Sequence, residues 1–100
     1  MKSEALLQTK IIKFLRHEGR FVIKTQGGTP GTDTGTPDVI TIYPDGRFIG
    51  LEIKRPDGGG VVSPEQNAVG KQIQRNQGLW YVIDSWEKFE EVWRDVTTLI

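Results

Sequence analysis

The chain reads as an α/β protein whose elements run α-β-β-β-α-β-α around a mixed central sheet. Three observations predict this. Apolar residues recur at helical spacing near the start, at Leu7, Ile11, Phe14 and Leu15. Two short β-prone runs, 35–43 and 47–54, meet at a Tyr43-Pro44-Asp45-Gly46 turn and form an antiparallel hairpin. A strong helix start at Ser63-Pro64-Glu65-Gln66 lies between that hairpin and a further strand, and a strand–helix–strand crossover sets its two strands parallel.

The elements follow in order. Ser3 caps a first helix that runs to about Glu18, where Gly19 stops it. Glu4 and Gln8 lie along its apolar stripe, while Lys10, Lys13, His17 and Arg20 share another face. Phe21 to Gln26 reads as a strand. Gly27–Thr36 is a glycine- and threonine-rich loop, and loops of that length in a small domain tend to carry function. After the hairpin, Arg55–Gly60 reads as a flexible stretch. The second helix has serine at the N-cap, proline at its first position and glutamine at its third, which makes a capping box. It is expected to reach Asn76 or Gln77 and to end at Gly78. Leu79–Ile83 is a near-continuous apolar run, as expected of a strand buried on both faces. Ser85 caps a last helix with Trp86, Phe89, Val92, Trp93 and Val96 on one side.

One hundred residues imply one domain, 1–100. No apolar run approaches the roughly 20 residues of a membrane helix, and no secretory leader is evident. The absence of cysteine excludes disulfides and thiolate chemistry. A net charge of zero argues against a protein that coats nucleic acid by bulk electrostatics. The charge is nevertheless uneven. Residues 1–30 carry six basic side chains against two acids, whereas residues 85–100 carry two against four. A polyanion would therefore lie against the N-terminal half; ordinary solvated helix faces are the alternative.

The hairpin carries the chemistry. Asp38 opens its first strand, and Glu52 and Lys54 stand near the end of the second, on one face because strands have period 2. Two carboxylates and an ammonium at one end of a sheet suit a hard divalent cation placed to attack a phosphodiester. Asp38 and Glu52 are the candidate ligands, with the Ile53 carbonyl as a third. Lys54 cannot ligate a cation while protonated, but it can orient the attacking water and stabilise charge on the phosphate. Pro37 has no backbone donor and suits the start of a strand. Each fragment alone is common; the combination in this order of elements points to a metal-dependent nuclease.

These residues resemble the PD-(D/E)XK nuclease superfamily: Gly35-x-Pro37-Asp38, then Glu52-x-Lys54, then Ser63-Pro64-Glu65-Gln66. More narrowly they look like its VRR-NUC branch, over most of the chain from the helix bearing Glu4 to the strand at Leu79–Ile83. The resemblance implies a restriction-endonuclease-like fold and magnesium or manganese as cofactor. It makes Asp38 and Glu52 metal ligands, Lys54 the catalytic lysine, Gln66 a glutamine facing the active site, and Glu4 the acid that many members place on the first helix. Small stand-alone members act as homodimers on four-way DNA junctions, so branched DNA and a second copy of the chain are the expected partners. The location expected is cytoplasmic, in a bacterial host if the chain is phage-encoded. A restriction-type or nicking nuclease on plain duplex, and an idle DNA-binding module, are the rival readings.

Other residues have two readings each. Glu4 serves either the metal site or the dipole of its helix. Gln66 is either an active-site residue or only the capping-box partner, and the two roles would compete for one side chain. Lys10, Lys13, Lys24 and Lys71 contact phosphate or are simply solvated, with Arg75 a further basic residue on the second helix. His17 is expected at the surface. Trp80, Trp86 and Trp93 stand at core spacings and read as packing residues rather than base-stacking platforms.

Overall fold

The computed structural model describes residues 3–25 and 33–98. Helix α1 spans Glu4–His17, β1 Val22–Lys24, β2 Val39–Ile42, β3 Phe48–Ile53, α2 Pro64–Arg75, β4 Leu79–Ile83 and α3 Trp86–Thr98. The strands form one four-stranded sheet in the order β1-β2-β3-β4. The β1–β2 and β2–β3 pairs are antiparallel, and β3–β4 is parallel. The sheet is therefore mixed, as the hairpin and the helical crossover require. The first strand is shorter than the run Phe21–Gln26 suggests, and Gln26 with Gly27–Thr32 of the long loop lies outside the described residues.

Strand alternation sorts the sheet into two faces. Ile49, Leu51 and Ile53 of β3 join Val39 and Ile83 on one face and pack with Leu7, Ile11, Ile12 and Leu15 of α1 and Phe89, Val92, Trp93 and Val96 of α3. Phe14 of α1 adds edge-on ring contacts to Trp86 and Phe89 of α3. The opposite face carries Gly50 and Glu52 and meets α2. Gly70 is buried there because the Trp80 ring occupies the space that a Cβ would need.

Sequence expectation and structure differ at two further places. Leu79–Ile83 is not buried on both faces: only Ile83 is fully buried, and the other four residues are half-buried. The cause is position, since β4 is an edge strand. Gly78 is not the residue that reverses the chain after α2. Gln77 takes that left-handed conformation, at φ 70°. Gly78 is required instead by crowding, because a Cβ there would lie 2.7 Å from Cγ2 of Ile73. The glycine-rich segment after β3 holds a turn, in which the Gly58 N–H donates to the Arg55 carbonyl at 3.1 Å and the Gly59 N–H to Asp57 Oδ1 at 2.8 Å.

Candidate active site

Asp38 lies immediately before β2, and its placement is over-determined. The Thr25 N–H donates to the Asp38 carbonyl at 3.0 Å, and the Thr25 hydroxyl donates to the Pro37 carbonyl at 2.6 Å. The edge of β1 thus holds the Pro37-Asp38 backbone. The Asp38 side chain turns the other way, toward β3, where Oδ2 accepts the Ile53 N–H at 2.8 Å. The antiparallel register that sets Val39 opposite Leu51 would set Pro37 opposite Ile53. Proline has no N–H, so the ladder offers no donor to the Ile53 carbonyl from that position. Pro37 itself is buried over β3 and needs Gly50 beneath it, where a Cβ would come within 2.8 Å of Pro37 Cγ.

Glu52 is 0% exposed. It faces α2, whose first turn brings Gln66 over it. The Gln66 side-chain amide makes three hydrogen bonds. Nε2 donates to Glu52 Oε1 at 2.9 Å, while Oε1 accepts from the Lys54 ammonium at 2.7 Å and from the Ser63 N–H at 2.9 Å. The capping box is complete, since Ser63 Oγ accepts the Gln66 N–H at 3.1 Å. The cap contact and the contacts to Glu52 and Lys54, expected to compete for the Gln66 side chain, are therefore made together. A carbonyl oxygen has two lone pairs, and the amide nitrogen remains free to donate.

The second oxygen of Glu52, Oε2, is buried without a hydrogen-bond partner. A buried acceptor without a partner is costly. Burial, the charge of the neighbouring Asp38 carboxylate, a side-chain hydrogen bond with Asp38 that favours the protonated form and, as the smallest effect, Glu4 push the Glu52 carboxyl up to about 8, against a smaller opposing pull from Lys54. In the metal-free protein at neutral pH this group is thus mainly protonated. A divalent cation held by Asp38 and Glu52 would favour the ionised carboxyl, since its charge would offset their mutual repulsion.

The loop before Asp38 is keyed to α2. Gly35 has φ +89°, and a Cβ there would stand 2.6 Å from the Glu65 carbonyl oxygen. The Gly35-Thr36-Pro37-Asp38 segment is therefore pressed against the helix turn that carries Gln66, and a hydrogen bond from Thr36 Oγ1 to the Asp33 carbonyl at 2.7 Å closes the turn that leads into it.

The structure thus brings together Asp38, Glu52, Ile53, Lys54 and Gln66. Glu4 is half-buried at the start of α1, close enough to Glu52 to act on it through space, but no hydrogen bond joins it to that cluster among the described residues. Lys13, Lys24 and Lys71 are exposed on α1, β1 and α2. Lys24 stands next to Thr25, the residue that holds Asp38. The Lys10 ammonium lies 4.2 Å from the centre of the Trp86 ring, beside a cleft of about 350 Å³ between α1 and the start of α3. His17 is exposed, Trp93 is buried, and Trp80 and Trp86 are half-buried. Sequence reasoning missed Thr25 and the Ser63 N–H. Thr25 carried no signal, since it is one polar residue after a strand. Ser63 was legible as a cap but not as a donor to a side chain.

Among the described residues, no group of three or more His, Asp or Glu side chains converges on one point. The groups expected to hold a cation, Asp38, Glu52 and the Ile53 carbonyl, offer two carboxylates and a main-chain carbonyl. That set fits magnesium or manganese, which keep several waters and take one or two carboxylates from the protein. No family model matches the chain, and no curated protein matches it. Among the described residues no helix is long and apolar enough to cross a membrane.

Proposed function

We propose that the chain is a magnesium- or manganese-dependent DNA endonuclease of restriction-endonuclease-like fold, which acts as a homodimer on branched DNA. The observation that carries this is Glu52: a fully buried carboxylate with one unpartnered oxygen, beside a second carboxylate and within one glutamine of an ammonium. A purely structural carboxyl in that position would need neither Asp38 nor Lys54 as neighbours.

When bound, a divalent cation supplies Lewis acidity toward a phosphoryl oxygen and lowers the pKa of a water. Asp38, Glu52 Oε2 and the Ile53 carbonyl are the groups that would hold it. Lys54 Nζ brings a positive charge and a donor to the side where the scissile phosphate lies; it stabilises charge on that phosphate and orients the attacking water. Gln66 keeps the ammonium and the Glu52 carboxylate in fixed relation. A four-way junction needs two symmetric cuts, and the described residues of one chain form one such cluster, so a two-fold pair of chains is the economical assembly.

The test is a cleavage panel with four-way junction, flap, single strand and linear duplex, each with magnesium and with chelator. Opposed nicks near the crossover, in magnesium only, are expected. Equal rates on junction and duplex would replace the branched substrate with plain duplex. Undiminished cutting in chelator would remove the metal.

A further inference from the structure

We infer that Ser63 is a positioning residue of the site. Its backbone N–H fixes the orientation of the Gln66 amide, and the oriented amide occupies Oε1 of Glu52, leaving Oε2 as the one oxygen of that carboxylate open to a cation. The consequence for the cation rests on the metal-dependent function proposed above; the orientation of the amide does not.

The network admits one orientation. Gln66 Oε1 receives two donors, the Ser63 N–H at 2.9 Å and the Lys54 ammonium at 2.7 Å, while Nε2 points at Glu52 Oε1 at 2.9 Å. A flipped amide would set its NH₂ against an N–H and an ammonium, and its oxygen against a carboxylate oxygen. Of the two donors, the lysine is the end of a flexible side chain, whereas the Ser63 N–H is main chain at a helix cap. Its position is set by the helix backbone, in which the Ser63 carbonyl accepts the Asn67 N–H at 2.9 Å. The helix start therefore fixes the amide, and the amide selects the oxygen. Glu52 is confined to ligation through one oxygen, since Oε1 already holds a hydrogen bond and Oε2 holds none. The general counterpart is a group outside a metal's own ligands that orients one of them.

Two substitutions separate the N–H from the hydroxyl. Ser63→Ala removes Oγ and keeps the N–H. Ser63→Pro removes both, and the backbone suits proline, with φ −72° and an extended ψ of 161° ahead of Pro64. The full-length variants are compared in Mn²⁺ binding by calorimetry and, without metal, in the NMR signals of the Gln66 side-chain amide. Ser63→Ala should bind Mn²⁺ much as wild type does and keep the amide signals. Ser63→Pro should bind on the order of tenfold more weakly or worse and shift the amide signals. If the two variants match in both measurements, the N–H does not orient Gln66 and the proposal falls. If wild type takes up no Mn²⁺, the metal-dependent function fails, and the metal-free amide signals still decide the role of Ser63. Should Ser63→Pro not fold, a synthetic chain with an ester in place of the 62–63 amide removes the N–H alone, with the same two outcomes.

Discussion

Glu52 is buried beside Asp38, and both facts raise its pKa, to about 8 from an ordinary value of 4.5. The folded protein therefore holds a proton that the unfolded chain has lost across that window. Stability falls with rising pH wherever the native state binds more protons. The melting temperature of the metal-free protein should thus decline between about pH 4.5 and 8 and level off above, and Glu52→Gln should flatten that part of the profile. A wild-type profile as flat as that of Glu52→Gln would show that this carboxyl titrates normally. Mg²⁺ should reverse the decline, because it stabilises the ionised form. The neighbouring residues divide by role. Asp38→Ala and Glu52→Ala should abolish both cutting and cation uptake. Lys54→Ala should leave uptake nearly unchanged and cost on the order of 10²–10³ in cleavage rate, as loss of a group that acts on transition-state charge does. Wild-type cleavage by Lys54→Ala would remove the lysine from the mechanism. Asp38, Glu52 and Lys54 were legible in the sequence because the period of a strand and the length of a turn place them. The hydrogen bonds of Thr25 were not, because they cross from β1 to the residue before β2, and no local pattern encodes which strand lies alongside.

Helix α2 is where local signals and tertiary geometry meet. Its start was fully readable, since serine, proline and glutamine at fixed offsets have one local use. Its second use, as the arm that reaches Glu52, depends on how closely the helix approaches the sheet, and glycines set that approach. Gly35→Ala combines a left-handed φ of +89° with a collision at the Glu65 carbonyl. It should destabilise by about 1–3 kcal/mol and lower activity beyond what stability explains, because the helix turn under Gln66 must move. Thermal melts and rates measured on the same samples check this; activity that tracks the folded fraction alone would confine Gly35 to stability. The far end of α2 gives an independent case. Gln77 occupies a left-handed conformation that costs a non-glycine residue about 1–2 kcal/mol and is exposed. Gln77→Gly should raise stability by a part of that cost with activity unchanged, and a lower melting temperature would contradict it. Sequence pattern assigns the helix end to Gly78 because a glycine there usually takes the reversal, whereas here the space beside Ile73 claims it. The fourth strand misleads for a similar reason: an apolar run reports what could be buried, and only sheet order decides whether a strand stands at the edge.

At the scale of the molecule, Asp38, Glu52 and Lys54 lie at the end of β3 that faces the starts of α1 and α2, and Lys10 and Lys13 continue from there along α1, roughly 9 and 14 Å from Glu4 at 1.5 Å per residue. The proposed function makes Lys10 and Lys13 the grip on DNA that a net charge of zero leaves available. Charge reversal at Lys10 and Lys13 together should weaken binding on every DNA sequence and flatten the salt dependence, by about one unit of slope for each phosphate no longer neutralised. The slope is the readout rather than affinity alone, because Lys10 also stacks on Trp86 and its removal costs stability of about 0.5–1 kcal/mol. An unchanged slope would make both lysines merely solvated. The central claim, that Glu52 serves a metal-dependent phosphodiester cleavage, is tested most directly by single-turnover cleavage of a labelled four-way junction in magnesium, with wild type and Glu52→Gln side by side. That substitution keeps the shape of the side chain and its acceptor for Gln66 while removing the charge. The prediction is cleavage by wild type and none by Glu52→Gln, at equal folded fractions; equal rates for the two proteins would contradict it.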